Sequence, residues 1–350
     1  MAKKTIIKFI VILTFLSFCL FFMKVNDNFY LKENNLRGFS SIFNRFPKLT
    51  RRVYKHKFIV AGTYLTVNSS SPYAGRIVYQ EFKRLDKIFN IYDPNSEISK
   101  VNSTYNIPIR VSSELIEVLE LAYKTYQLTD GSFDVSKGIL YKFWKNFIKG
   151  KKIDKFPDKE EIEDLVKLGG MEFIGVDKNF QTVTIKKEGL MIDLSGIAKG
   201  YMVDKAVEKL KKKGIDSAIV DAGGDIYCLG KNYHTSWKVG IRDPLVRDGI
   251  IDIIPVVDQA IATSGSYEQF FTYASQNYTH IINPKTGYPL DDKIISVTVI
   301  AKNCTTADAL ATAFFVMGYE KIKEFLAKEN LGVKVFLVMR DGKGKRIYIL

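Results

Sequence analysis

Two oxygen-bearing side chains four residues apart, Asp308 and Thr312, stand in the otherwise apolar run 307–313. On a helix that spacing puts both on one face. A carboxylate beside a hydroxyl is a hard-oxygen pair suited to Mg2+, which takes one or two carboxylates and leaves its other positions to water or substrate phosphates. The same pair also fits a plainer role, with Asp308 complementing a helix dipole and Thr312 bonding back to its own helix. A second cluster, residues 192–201, joins a strand to a helix starting near Gly196 or Ile197. Its small residues admit a ligand to the backbone, and the free amides of a helix start favour an anion such as pyrophosphate. A turn capped by Asp193 or Ser195 is the alternative. Acidic or aromatic residues beside glycine recur at Asp130-Gly131-Ser132-Phe133-Asp134, at 262–265 and at 280–287. Each is readable singly as a turn, but their joint occurrence is not.

What is missing narrows the chemistry. No GxGxxG follows a strand, and there is no GxxxxGK[ST], GxSxG or HExxH. Of three histidines, His56 lies in a basic N-terminal stretch, leaving only His234 or His280 for a serine hydrolase with no serine in an elbow context. Cys19, Cys228 and Cys304 form no CxxC and no zinc spacing.

The elements that must position these clusters are strands and helices mixed without a βαβ rhythm. A strand is expected over 58–67, and a helix after Ser70, Ser71 and Pro72 with Ile77, Val78, Phe82, Leu85, Ile88 and Phe89 as its stripe. Further helices are expected after Ser112, over 160–168 and over 306–328. Hairpins are expected around 177–179 and across 341–344, two strands either side of Gly223-Gly224, and strands near Val239, Ala260 and Val297. The pattern is α+β, a single large mixed domain over 58–350.

Charge is concentrated ahead of that domain. Up to Lys57 there are twelve basic residues against two acidic ones, so only +4 of the net +14 belongs to the rest. That distribution argues against a nucleic-acid partner. Residues 9–23 are uncharged and largely apolar behind a lysine-rich start. Residues 1–25 therefore read as a signal or membrane anchor and 26–57 as a basic tether, with lipidation at Cys19 as the alternative.

Taken in order, residues 92–102 (from Tyr92), 130–136, 193–204, 221–225, 262–267, 280–289 and 307–313 resemble the blocks of the FAD:protein FMN transferases of the ApbE family. The resemblance implies an extracytoplasmic, Mg2+-dependent enzyme, with Mn2+ as the alternative ion. It would take FAD as substrate, move FMN onto a threonine of an acceptor protein and release AMP. It implies metal contacts at Gly196, Asp308 and Thr312, and flavin contacts at Tyr92, Ser132, Phe133, Asp134, Asp193, Lys199 and Ile282. His280 would be the base for the acceptor threonine. Asn283 departs from the family's aspartate after the two isoleucines. Acceptors would be Nqr/Rnf-type respiratory subunits or other secreted flavoproteins, met at the outer face of the bacterial cytoplasmic membrane. An extracytoplasmic FAD pyrophosphatase or FAD-binding protein is the alternative.

Overall fold

The computed structural model describes residues 52–150, 155–267, 269–342 and 344–350. The apolar leader and most of the basic stretch lie outside them. Among the described residues no helix is long and apolar enough to cross a membrane.

A hairpin opens the chain, β1 (Tyr54–Val60) against β2 (Thr63–Ser69). Where one strand was expected over 58–67, Ala61 and Gly62 both take positive φ, 51° and 68°, and reverse the chain. β1 also begins inside the expected tether. Lys55, Lys57 and Ile59 point outward while Tyr54, His56 and Phe58 are half-buried, the alternation of a charged edge strand.

Helices α1 (Ala74–Phe89) and α2 (Glu97–Asn102), the short strand β3 (Ile109–Arg110), and helices α3 (Ser113–Leu128), α4 (Gly138–Gly150) and α5 (Lys159–Leu168) follow in chain order and lead to the hairpin β4 (Ile174–Asp177) and β5 (Thr182–Ile185). Then come α6 (Ala198–Lys212), β6 (Ala218–Ala222), β7 (Asp225–Leu229), β8 (Trp237–Arg242), β9 (Ile250–Val256), β10 (Gln259–Gly265), β11 (Phe270–Tyr273), β12 (Gln276–Ile282), β13 (Pro289–Asp291) and β14 (Ile294–Ala301). Helix α7 (Cys304–Lys328) and the closing hairpin β15 (Lys334–Asp341) and β16 (Gly344–Ile349) finish the chain. The run Arg52–Leu350 is one compact unit.

Its frame is an eight-stranded sheet, β1-β2-β6-β7-β10-β14-β15-β16, antiparallel at every step. Helices α1, α6 and α7 pack over one face, and the core runs from Leu65 and Val67 through Phe82, Tyr201, Val297 and Phe314. The β8–β9 hairpin covers part of the other, with Trp237, Val239 and Ile241 packed near Ile261, Ile300 and Phe336. β14 is thus covered on both sides, which is why its sequence Ile-Ile-Ser-Val-Thr-Val-Ile-Ala reads as a nearly unbroken apolar run. A smaller cluster of Leu140, Trp144, Ile162, Phe271 and Ile282 joins α4 and α5 to the sheet β11-β12-β13.

Candidate active site

The separated sequence blocks are tied to one another by specific bonds. Asn102, the last residue of α2, donates its side-chain amide to Ile192 O at 2.9 Å and accepts Ile192 N–H at 2.8 Å, pairing as a strand backbone would. Asp193 N donates to Val135 O at 2.8 Å, laying the 130–136 loop beside the 192–197 loop. Lys285 Nζ reaches Asp130 Oδ2 at 2.5 Å and links the loop after β12 to the same place.

The 192–197 loop enters α6 without a side-chain cap. Asp193 Oδ1 accepts Ser195 N at 2.8 Å in a local turn, and Ile197 holds the cap position. Helix α6 crosses α7 so closely that a Cβ on Gly200 would stand 2.4 Å from Cys304 O and 2.9 Å from Asp308 Cβ. Asp308 Oδ2 accepts the Gly200 N–H at 3.0 Å, one of the helix-start amides that has no intrahelical partner. The carboxylate therefore serves the neighbouring helix and not its own, whose N-terminus is capped by Asn303 through Thr306 N at 2.8 Å. Thr312 likewise turns outward, its hydroxyl 3.3 Å from Ser264 Oγ on β10.

Gly196 sits between Thr312 and the Phe133 ring. A Cβ there would meet Phe133 at 3.1 Å and Thr312 Oγ1 at 3.4 Å, so the backbone at Gly196 runs directly beside the hydroxyl. The Gly196 backbone thus lies beside Thr312, while Asp308, one turn away on α7, lies against Gly200. Among the described residues no group of three or more His, Cys, Asp or Glu side chains is placed to hold a metal. A cation here would take one carboxylate, neutral oxygens and its substrate's phosphates, which matches the coordination habit of Mg2+.

The electrostatics point the same way. Burial raises the Asp308 carboxyl well above the ordinary aspartate value, and Asp225 nearby adds to the shift. Lys199 is ion-paired with Asp225. Burial opposes its charge, but Asp225 and Asp308 outweigh burial and hold the ammonium above the usual lysine value. Asp225 pairs with the Lys199 ammonium directly and Asp308 lies close enough to act on it, so the start of α6 and α7 gathers two buried carboxyl groups around one cation.

His280, near the end of β12, donates from Nδ1 to Gln269 O at 3.2 Å. A carbonyl can only accept, so the proton sits on Nδ1 and Nε2 keeps its lone pair. Burial pulls the imidazole below its ordinary value; Lys145 and Lys199 act in the same direction, against the raising effect of the Gln269 carbonyl. Asn283 accepts Lys285 N at 2.9 Å and Thr286 N at 3.3 Å through its amide oxygen. That is the work an aspartate would do at the head of this turn, so the departure from the family pattern leaves the loop intact.

The expected flavin contacts divide. Phe133 and Asp134 are buried, and Asp134 Oδ1 accepts Ser136 N and Oγ at 2.8 and 2.6 Å. Ser132, Asp193 and Lys199 are half-buried around the same loops. Tyr92 is 67% exposed beside α2 and meets Lys145 of α4, which bonds its hydroxyl and lies 4.8 Å from its ring centre. The Ile282 side chain packs against Leu140 and Trp144, so only its backbone remains for a ligand.

Sequence reading assigned no role to Ser264, Asp225 or Asp204, although all three lie in the recognised blocks. Lys145 gave no signal at all, because α4 was not expected. That helix also fixes the loop after β12, with Trp144 Nε1 donating to Gly287 O at 2.8 Å.

Comparison with known proteins agrees with this arrangement. The model of the ApbE family matches residues 61–337. An FAD:protein FMN transferase of Vibrio cholerae is 35% identical over 254 residues, 72% of this chain and 75% of its own length. One from Haemophilus influenzae is 32% identical over 269 residues, 75% of this chain and 77% of its own. The crystal structure of the ApbE protein of Thermotoga maritima superposes with a TM-score of 0.75 at 33% identity, covering 85% of this chain and 96% of that one. With its fold, its ordered site blocks and these relatives in agreement, the chain belongs to the ApbE family.

Proposed function

We propose that the chain moves FMN from FAD onto a threonine hydroxyl of an acceptor protein and releases AMP, in a reaction that requires Mg2+, with Mn2+ as a substitute. The observation that carries this reading is the crossing of α6 and α7, where Asp308 accepts Gly200 N–H, Thr312 lies beside the Gly196 backbone, and Lys199 pairs with Asp225. Asp308, Thr312 and the Gly196 carbonyl would hold the ion. Bound there, it would neutralise the pyrophosphate oxygens and ease departure of AMP.

The chain's own groups do the rest. Nε2 of His280 takes the proton from the acceptor hydroxyl as its oxygen attacks the phosphorus on the FMN side. The new bond is O–P to the threonine. The bond that breaks joins that phosphorus to the bridging oxygen, which leaves on AMP. Lys199 keeps a positive charge beside the phosphates, while Phe133, Asp134, Ser132 and Asp193 form the wall of the flavin site and Tyr92 its outer edge. The acceptor is a secreted or membrane-bound flavoprotein, of which the Nqr/Rnf-type respiratory subunits are the chemical type. The apolar run 9–23, outside the described residues, would hold the enzyme at the outer face of the cytoplasmic membrane.

The test is incubation of the full-length protein with FAD, Mg2+ and candidate acceptors. Expected are AMP release and an acceptor band that keeps flavin fluorescence after acid denaturation, both abolished by EDTA. AMP without a labelled acceptor would make the protein a pyrophosphatase. Bound FAD with neither product would make it a flavin carrier.

A further inference from the structure

Each of α6 and α7 offers a second-turn carboxylate to the first-turn amides of the other. Asp308 of α7 takes Gly200 N–H of α6. In return Asp204 of α6 takes the first two amides of α7, Cys304 N on Oδ1 and Thr305 N on Oδ2, both at 2.8 Å. The Thr305 hydroxyl adds a third bond to Oδ2 at 2.5 Å. Each carboxylate lies four residues, about one turn, beyond the partner's contact point: Gly200 and Asp204 on one helix, Cys304 and Asp308 on the other. The exchange occurs where the helices touch backbone to side chain at Gly200, leaving no slack between them.

We propose that Asp204 is a positioning residue for the metal site, holding α7 in the rotation and height at which Asp308 keeps one oxygen on Gly200 and turns the other to the cation. Both Asp204 oxygens are engaged by the start of α7. Asp204 acts through the α7 backbone, as second-layer carboxylates orient metal ligands elsewhere. The inference rests on the metal reading of Asp308. Asn303 provides the internal control, because it caps the same helix through Thr306 N without reaching α6.

The experiment follows Mn2+ binding to the full-length protein by the EPR signal of the free ion, with ADP present as the pyrophosphate ligand. Melting temperature and metal-free ADP affinity are measured alongside. Asp204→Asn keeps the size of the side chain but cannot accept three bonds, and is expected to weaken Mn2+ binding about 10–100-fold with metal-free ADP affinity unchanged. Thr305→Ala removes only the hydroxyl bond and should give a smaller loss in the same direction, which keeps the test alive if Asp204→Asn fails to fold. Asn303→Ala should lower the melting temperature yet leave Mn2+ affinity near wild type. Unchanged Mn2+ binding in Asp204→Asn and Thr305→Ala would overturn the inference. So would an equal loss in Asn303→Ala, which would reduce Asp204 to one helix cap among two. Absence of Mn2+ binding in the wild-type protein would instead bring down the metal reading itself, and this inference with it.

Discussion

One nitrogen of His280 is committed before any substrate arrives. Because Nδ1 donates to a backbone carbonyl, no side-chain substitution at Gln269 can release it, and the imidazole enters the reaction with Nε2 unprotonated. His280→Ala should therefore cost about 10²–10⁴-fold in single-turnover FMN transfer while FAD affinity changes little. Weakened FAD binding with unchanged transfer would make it a substrate-holding residue. Since the imidazole titrates below its ordinary value, transfer should persist under mildly acidic conditions and fall only as pH drops through that lowered value. Lys145→Gln removes one of the two cations that favour the neutral ring, so its acid limb should move to higher pH. A limb that stays in place would show that Lys145 does not sense the base. Asp308 works in the opposite sense. Its proton is held more tightly in the folded chain than in the unfolded one, so its contribution to stability is present at low pH and is lost as pH rises through its raised value. Asp308→Asn keeps an acceptor for Gly200 N–H and removes the buried charge. It should raise the melting temperature at neutral pH while abolishing Mg2+-dependent AMP release. Thr312→Val loses one neutral contact and should be milder, about 2–10-fold.

At the scale of elements, the same helix crossing that assembles the site leaves room for nothing larger than hydrogen at Gly200. Gly200→Ala places a methyl against the Cys304 carbonyl and the Asp308 side chain. Overpacking of this kind typically costs about 1–3 kcal/mol, and thermal denaturation should show it together with weakened metal binding. An unchanged melting temperature would mean that the two helices separate easily. The crossing was half-legible in the sequence: the helix over 306–328 and the start near Ile197 were both expected from local pattern, but nothing local says that Gly200 faces Cys304. Helix α4 was not expected because its start is set at long range. Gly138 N donates to Met191 O, and the hydroxyl of Ser136 is taken up by Asp134 and Gly170 N and caps nothing. With α4 unread, Lys145 and its approach to Tyr92 and His280 could not be found. Asp308 and Thr312, by contrast, were visible as two polar residues at i, i+4 in an apolar stripe, a pattern that needs only one helix, although it fitted a dipole-complementing role as well and only the family resemblance pointed to a metal.

The boundary between leader and body is decided by the whole sheet and not by local composition. Residues 54–57 are rich in positive charge and look like tether, yet they form the first half of β1, where Tyr54, Lys55, His56 and Lys57 pair with Ser69, Asn68, Val67 and Thr66. Lysines suit that position because an outer strand must discourage further pairing. The chain is also fastened just ahead of β1, where Tyr233 donates its hydroxyl to Arg52 O at 2.9 Å. A chain shortened to begin at Arg52 keeps the full register and should be soluble, melt near the full-length protein and retain FMN transfer. One beginning at Phe58 loses four of the seven paired residues of β1 and bares the edge of β2 over Val67 and Ser69, as well as emptying the space His56 fills over Gly75. It should melt at a clearly lower temperature and aggregate on concentration. The full-length protein should sediment with membranes, through residues 9–23, and its recovery uncleaved in the cytosol would refute the anchor. If the chain from Phe58 proved as stable as the chain from Arg52, residues 54–57 would be tether after all, and the sheet would begin in effect at β2.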